Sequence, residues 1–204
     1  MSKFIHLHNH TARGSLLDSM VNTEELVKKA KEHDMPAIAI SDHATLSSFV
    51  RFYKVCREHD VKPIFGVEMY MVDNINIKDK DEKKNHLLLL AKNKKGLKNL
   101  FKLITIGNKH FYKKPNIDFE TLKKHKEGLI VSSACLAGKV SQLALSEQYN
   151  EMEEAIKKYK NEFGDDFYLE VMANKMDDQI QANKVIATAS RKFNMPTIAT
   201  NDLH

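Results

Sequence analysis

The first eighteen residues, MSKFIHLHNHTARGSLLD, carry three histidines at alternate positions within a short apolar run. Alternation is the period of a β-strand, so His6, His8 and His10 are predicted to point to one side. Imidazoles gathered on one face of a strand either meet solvent or converge on something that binds their nitrogens. Asp18, eight residues after His10, adds a carboxylate to the same region.

Residue types that bind metal ions recur where other predicted strands end. The carboxyl ends of the strands of a β/α barrel meet on one face, so residues far apart in sequence are expected to come together there. His86 departs from this pattern because it begins HLLLLA, so that strand either runs in the opposite direction or lies at the rim. Together these positions give nine candidate ligands: His8, His10, Asp18, His43, Glu68, His86, Cys135, Asp202 and His204.

Nine ligands exceed the four to six or so that one ion takes, so two or three divalent ions are expected, as zinc, manganese or iron. Clustered ions are a standard device for hydrolysing phosphate esters, because they acidify water and neutralise phosphoryl oxygens. Taken singly, each residue has a commoner explanation, such as an exposed histidine, a paired core acid at Glu68 or an inert core thiol at Cys135. The metal hypothesis therefore depends on the nine side chains meeting in one place.

Two further residues are expected to support the ligands without binding metal. His6 shares the face of His8 but lies deeper in the predicted strand. Asp42 precedes His43 and is placed to orient a ligand through a hydrogen bond.

The composition is typical of a globular protein, with 42% hydrophobic residues, two cysteines and a formal net charge of +5. Neither an apolar stretch long enough to cross a bilayer nor a leader-like start is found, so a cytoplasmic protein without a membrane partner is expected. Between Lys78 and Glu127, fifteen lysines stand against six acids. That segment is either a DNA-backbone contact or a solvated lysine-rich surface; the candidate contacts are Lys94, Lys95, Lys98, Lys113 and Lys114.

Short apolar runs alternate with amphipathic stretches along the whole chain. The predicted strands are KFIHLH, AIAIS, IFGVEMYMV, HLLLLA, GLIVSS, FYLEVM and TIAT. Apolar strands between helices predict an α/β fold with a helix-covered parallel sheet, and seven of them suit a closed or nearly closed barrel. With no internal repeat or linker, residues 1–204 are expected to form one domain.

The same residues resemble those of the PHP (polymerase and histidinol phosphatase) domain. More narrowly, they are similar to the N-terminal domain of the alpha subunit of bacterial DNA polymerase III. The resemblance covers the whole chain and is carried by HLHNHTARGSLLD, SDHATLSSFVRFYK, KPIFGVEMY, VSSACLAGKV and ATNDLH. The SLLD, ACLAG and NDLH segments are characteristic of the polymerase branch.

The resemblance implies a distorted seven-stranded β/α (TIM-like) barrel with three metal ions. It assigns His8, His10, Glu68 and Asp202 to one ion; Glu68, His86 and Cys135 to a second; and Asp18, His43 and His204 to the third. His8, His10, Glu68, Asp202 and His204 would then be catalytic. Thr11 replaces the usual serine and keeps a hydroxyl.

The implied activity is a metal-dependent 3′→5′ exonuclease that proofreads a single-stranded or primer 3′ end of DNA. The chain has no polymerase carboxylate triad, so the remainder of a replicative polymerase is expected in cis or in trans. Two alternatives stay open: a structural or docking module that metals stabilise, and a small-molecule phosphatase of the histidinol-phosphate type.

Overall fold

The structure, a computed structural model, describes residues 4–204 and contains a curled mixed sheet covered by helices on its outer face. The strands are β1 (Ala37–Ile40), β2 (Lys62–Met71), β3 (Asn85–Ala91), β4 (Asn116–Ile117), β5 (Leu129–Ser132), β6 (Phe167–Met172) and β7 (Thr197–Thr200). The helices are α1 (Thr23–Glu32), α2 (Phe49–Glu58), α3 (Lys94–Lys109), α4 (Phe119–Lys124), α5 (Lys139–Leu145), α6 (Tyr149–Phe163) and α7 (Asp177–Phe193). Within the described range, no helix is both long enough and apolar enough to cross a membrane.

The sheet order is β1-β2-β3-β5-β6-β7, with β4 beside β2. The pairs β1–β2, β5–β6 and β6–β7 are parallel, as the sequence predicts. In contrast, β3 is antiparallel to both β2 and β5. Because β3 runs in the opposite direction, His86 at its start lies at the same end of the sheet as the carboxyl ends of the parallel strands.

The first predicted strand, KFIHLH, is wrong as a regular element, because its described residues 4–8 are irregular and only Asn9, which follows them, forms an isolated bridge, to Leu203. The segment nevertheless joins the two edges of the sheet. On one side Ser41 N donates to Asn9 O at 2.8 Å, and on the other His10 N donates to Leu203 O at 2.8 Å. These bonds close the curled sheet into a distorted barrel and bring both ends of the described chain to one place.

The apolar strand HLLLLA has both faces buried, which explains why its sequence lacks polar alternation. Leu87 and Leu89 face the helices and belong to the largest core cluster. Leu88 and Leu90 face the barrel interior, where they pack with Ala39, Ile64 and Ile130. Burial of each leucine side chain contributes roughly 1.5–3 kcal/mol.

The start of α3 is pressed against the backbone that precedes β5. Asn93 caps the helix through its Oδ1, which accepts bonds from Lys95 N and Gly96 N at 2.9 and 3.0 Å. A Cβ on Gly96 would lie 1.8 Å from the carbonyl oxygen of Gly128. Only glycine therefore permits this approach, which fixes the position of β5 relative to β3.

We predict that Gly96→Ala lowers the free energy of unfolding by about 1–3 kcal/mol, because rigid backbone must move to admit the methyl group. Gly107→Ala is the matched control in the same helix, since its Cβ would meet the flexible Met69 methyl at 3.3 Å. The gain in helix propensity there, about 1 kcal/mol, offsets that contact. Urea unfolding of both variants makes the comparison, and equal losses of stability would contradict it.

Candidate metal centre

Strand periodicity places the chemically active side chains on the inner face of the sheet. Glu68 pairs with Leu88 in the register of β2 and β3, and Tyr70 pairs with His86, so all four side chains point inward. Leu88 and Leu90 form an apolar layer deeper in the barrel. The polar groups therefore collect in one layer at the end of the barrel where the parallel strands finish.

The carboxylate of Glu68 is the centre of this layer and is almost fully buried. Its Oε1 lies 3.0 Å from His86 Nδ1 and 3.5 Å from Cys135 Sγ. Its Oε2 lies 2.9 Å from His43 Nδ1. The Nε2 atoms of His8 and His10 lie 3.3 and 3.5 Å from the same carboxylate. One glutamate thus contacts five of the other eight candidate ligands.

The ligand atoms form three compact groups that share members. His8 and His10 contact both Glu68 and Asp202, with separations of 3.2 to 3.5 Å. His86 Nδ1 and Cys135 Sγ, 3.6 Å apart, form a second group with Glu68. The structure thus brings together the four ligands that the family resemblance assigns to one ion and the three that it assigns to a second.

The third group lies at the mouth of the barrel. Asp18 approaches His43 at 2.5 Å and His204 at 3.7 Å. His204 also lies 3.2 Å from Asp202, which links this group to the first. The exposed fraction of the side chain rises from 0% at His8 to 50% at Asp18. The centre therefore opens to solvent on the side of the third group.

The spacing and the unpaired atoms both fit divalent cations. Ligands about 2.0–2.2 Å from a zinc-sized ion are themselves separated by roughly 2.8–3.6 Å, which matches the separations within the first two groups. Several buried polar atoms make no hydrogen bond within the described part of the chain, and five of them face this centre: His8 Nε2, His10 Nε2, His43 Nδ1, Glu68 Oε2 and Asp202 Oδ1. These atoms lie 2.9 to 3.5 Å from one another without hydrogen-bond geometry, an arrangement that a cation bound between them would account for.

The electrostatics of the pocket also favour positive charge. Burial opposes a charge on His8, but the carboxylates of Glu170 and Glu68 outweigh it and raise the His8 pKa well above its ordinary value. Burial likewise opposes charge on Glu68, yet the surrounding imidazoles hold its pKa well below the usual range. Asp202 follows the same pattern, with its pKa lowered to about 2. Buried carboxylates here keep their charge only beside positive neighbours.

The pKa of Cys135 shifts in the direction opposite to those of Glu68 and Asp202. Burial raises the pKa of its thiol, and the nearby carboxylates of Glu68 and Asp202 raise it further. The thiol therefore keeps its proton at neutral pH unless a cation displaces it. Metal ligation by Cys135 must release a proton.

Glu170 is a functional residue that the sequence reasoning missed. Its Oε1 lies 2.7 Å from His8 Nδ1, and its Oε2 accepts a bond from Ser132 Oγ at 2.6 Å. Thr200 Oγ1 donates to the same carboxylate. This contact directs the other nitrogen of His8 toward Glu68, as carboxylates do behind metal-binding histidines. The signal was present, because Glu170 interrupts the apolar strand FYLEVM as Glu68 interrupts its own.

Neither residue predicted to support the ligands contacts one through its side chain. The His6 ring packs edge-on against Phe4, with ring centres 4.7 Å apart, and only its carbonyl bonds to Asn9 and Ala39. Asp42 binds Thr11 N at 2.6 Å and Ser15 Oγ at 3.3 Å. Ser15 Oγ in turn lies 3.1 Å from His10 Nδ1. The prediction for His6 is therefore wrong. Asp42 reaches a candidate ligand only through Ser15, which contacts the ring of His10.

The five predicted DNA-contact lysines divide between the two ends of the barrel. Lys94, Lys95 and Lys98 lie in the first turns of α3, which follows the antiparallel β3, so they lie at the end opposite the metal centre. Lys95 there pairs with Glu127 at 3.1 Å. The expectation that these three lysines hold DNA at the centre is therefore wrong. Lys113 and Lys114 lie close to β4, at the same end as the centre.

Comparisons with known proteins agree with this architecture. The family model for the PHP domain matches residues 6–174. DNA polymerase III subunit alpha of Aquifex aeolicus is 43% identical across 100% of the chain, and that of Borreliella burgdorferi is 39% identical across 100%. The protein of the same name from Thermus aquaticus is 37% identical across 99%. The chain spans about 18% of the length of these relatives.

Solved structures with little sequence similarity share the fold. One is described as a metal-dependent phosphoesterase from Bifidobacterium adolescentis, with a TM-score of 0.58 and 13% identity over 98% of this chain and 87% of the other. Another is an amidohydrolase from Chromobacterium violaceum, with a TM-score of 0.60 and 11% identity over the same shares. With the family match over most of its length, the chain belongs to the PHP domain family, and its sequence resembles the corresponding segment of bacterial DNA polymerase III alpha subunits.

Proposed function

We propose that this protein is a metal-dependent phosphodiesterase that removes nucleotides from the 3′ end of DNA. The observation that carries the proposal is the convergence of nine potential ligands around the buried carboxylate of Glu68. Two or three ions of zinc, manganese or iron would be held by the three groups of ligands. Bound there, such ions supply an activated water and neutralise the charge that develops on a phosphoryl group.

The protein's own residues hold and orient this centre. Glu170 fixes the ring of His8, and Ser15 contacts the ring of His10, so that both Nε2 atoms face Glu68 and Asp202. Asp18 and His204 are the most exposed ligands and border the opening through which substrate would enter. Inner ligands that hydrogen bonds hold in place, with exposed ligands at the opening, suit a site that must admit the end of a polymer.

The choice of DNA as substrate rests on the relatives. They are named as subunits of DNA polymerase III, so this domain would act beside the remainder of a replicative polymerase, in cis or in trans. An exonuclease at that position would remove misincorporated nucleotides. The complete ligand set supports metal binding, which this kind of hydrolysis requires.

A stabilising role for the ions is the second candidate, and one observation favours it. The centre joins residues near both ends of the chain, since His8 and His10 contact Asp202 at 3.3 and 3.2 Å. Cations that bind only the folded state stabilise it by mass action. In that case chelation would lower the melting temperature although no substrate is hydrolysed.

The nuclease proposal predicts that Asp202→Asn slows degradation of 5′-labelled single-stranded DNA by more than about 100-fold in manganese. The loss of activity on removing a ligand should exceed the roughly 10–100-fold loss on removing a residue that only supports a ligand. Exposed Asp178, in the first turn of α7, gives the matched control Asp178→Asn with unchanged rate. A denaturing gel that resolves the shortened products makes the measurement.

The proposal fails if the metal-loaded wild-type protein leaves DNA intact, or if Asp202→Asn degrades it at the wild-type rate. Turnover of an aryl phosphate far faster than that of an oligonucleotide would instead identify a small-molecule phosphatase.

Metal affinity is predicted to rise with pH. The Cys135 pKa is raised in the metal-free protein, so binding expels its proton, and each expelled proton strengthens affinity by about tenfold per pH unit. Cys135→Ser should release one proton fewer than wild type when zinc binds. Cys56→Ala, which changes a buried cysteine of α2, should release as many as wild type. Calorimetry in buffers of different ionisation enthalpy counts the protons, and equal release from all three proteins would refute ligation by Cys135.

A further inference from the structure

Tyr70 links the metal centre to a lysine that is not a ligand. The tyrosine is 5% exposed, and its ring centre lies 5.1 Å from that of His86 and 5.7 Å from that of His43. Lys114 Nζ donates to Tyr70 Oη at 2.9 Å and lies 4.5 Å from the ring centre. The Tyr70 ring therefore contacts both an ammonium group and two candidate metal-binding histidines.

The backbone that carries Lys114 is held in place by a buried side chain. Asn116, 3% exposed, donates from Nδ2 to the carbonyl oxygens of Lys114 and Tyr112 at 2.7 and 3.1 Å. Asn116 also pairs with Tyr70 where β4 joins β2. Tyr70 thus takes part in two strand pairings: β2–β3 places it beside His86, and β2–β4 fixes the turn that presents Lys114.

The turn also contains a strained residue. Lys113 has a φ of 61°, in the left-handed region that non-glycine residues rarely adopt. Tyr112 N donates to Lys114 O at 3.0 Å and closes the turn around it. Strained backbone that the surrounding structure holds in place is concentrated at functional sites.

Lys114 binds a neutral hydroxyl, whereas some other lysines of the basic segment pair with carboxylates. Lys92, Lys95 and Lys126 each pair with a carboxylate. Among residues 4–204, Lys114 Nζ has no carboxylate within 4.0 Å, and its partner is a neutral hydroxyl. Its positive charge therefore remains available to an external anion on the rim of the centre.

We propose that Lys114, positioned by Tyr70, forms a phosphate subsite that holds the DNA backbone next to the phosphodiester at the metal centre. This inference rests on the proposed function for its choice of ligand. The ammonium group donates to phosphate oxygens, while the bond to Tyr70 limits the positions it can take. Tyr70 is then a positioning residue, and Lys114 binds substrate without taking part in bond cleavage.

The test measures binding and does not depend on hydrolysis. Fluorescence anisotropy of a labelled single-stranded oligonucleotide in EDTA should give a Kd about tenfold weaker for Lys114→Ala than for wild type. Loss of one phosphate contact should also reduce the slope of log Kd against log salt by about 0.7. Lys114→Arg should retain both properties, and Tyr70→Phe should weaken binding less than Lys114→Ala.

Lys98→Ala, which removes the same charge at the opposite end of the barrel, is the control and should bind as wild type does. Thermal melting followed by circular dichroism verifies that each variant is folded. If the protein also degrades DNA, Lys114→Ala should raise KM and leave kcat unchanged, as expected when uniform binding is lost.

The subsite is refuted if Lys114→Ala and Lys98→Ala share one Kd and one salt slope, or if wild type binds no oligonucleotide. A protein that binds DNA through Lys114 and hydrolyses none supports the subsite and refutes the nuclease. A protein that degrades DNA but binds it equally well after Lys114→Ala supports the nuclease and refutes the subsite.

Discussion

The buried carboxylate of Glu68 is the constraint on which the rest of the site depends. It lies within a strand whose other inward residues are apolar or aromatic, and it contacts five side chains that can bind metal. A buried carboxylate is costly unless positive charge surrounds it. Imidazolium groups supply that charge when no cation is bound, and a cation would supply it more completely. The surrounding histidines thus pair with Glu68 when they are protonated, and they would have to release that proton to bind a metal ion beside it.

The barrel concentrates these groups because its first segment closes the sheet without forming a regular strand. Residues between His6 and His10 bond to β1 on one side and to Leu203 on the other. His8 and His10 consequently face Asp202 across the closure, while Glu170 holds His8 from beneath. The candidate ligands and the closure of the barrel therefore share residues, so metal binding at these ligands would be coupled to folding.

Residue type and strand position predicted the nine candidate ligands, because histidines, acids and a cysteine placed at strand ends leave a signal even in one sequence. Periodicity does not encode strand direction, so the antiparallel course of β3 was only one of two alternatives. Because that direction decides where α3 begins, the sequence did not show that the five predicted lysines lie at two different ends of the barrel. The prediction for His6 was wrong because alternation assumes a regular strand. The segment is irregular, and the His6 ring packs against Phe4 instead of a ligand. Glu170 was missed because a single acid in an apolar strand also fits a paired core residue.

Elemental analysis of the purified protein tests most directly whether Glu68 organises a multinuclear metal centre. The account predicts two or three divalent ions per folded wild-type chain after extensive dialysis, and fewer than one in Glu68→Gln, which keeps the shape of the side chain but not its charge. Circular dichroism would verify that the variant is folded. A wild-type chain that retains no metal, or a Glu68→Gln chain that retains as much as wild type, would contradict it.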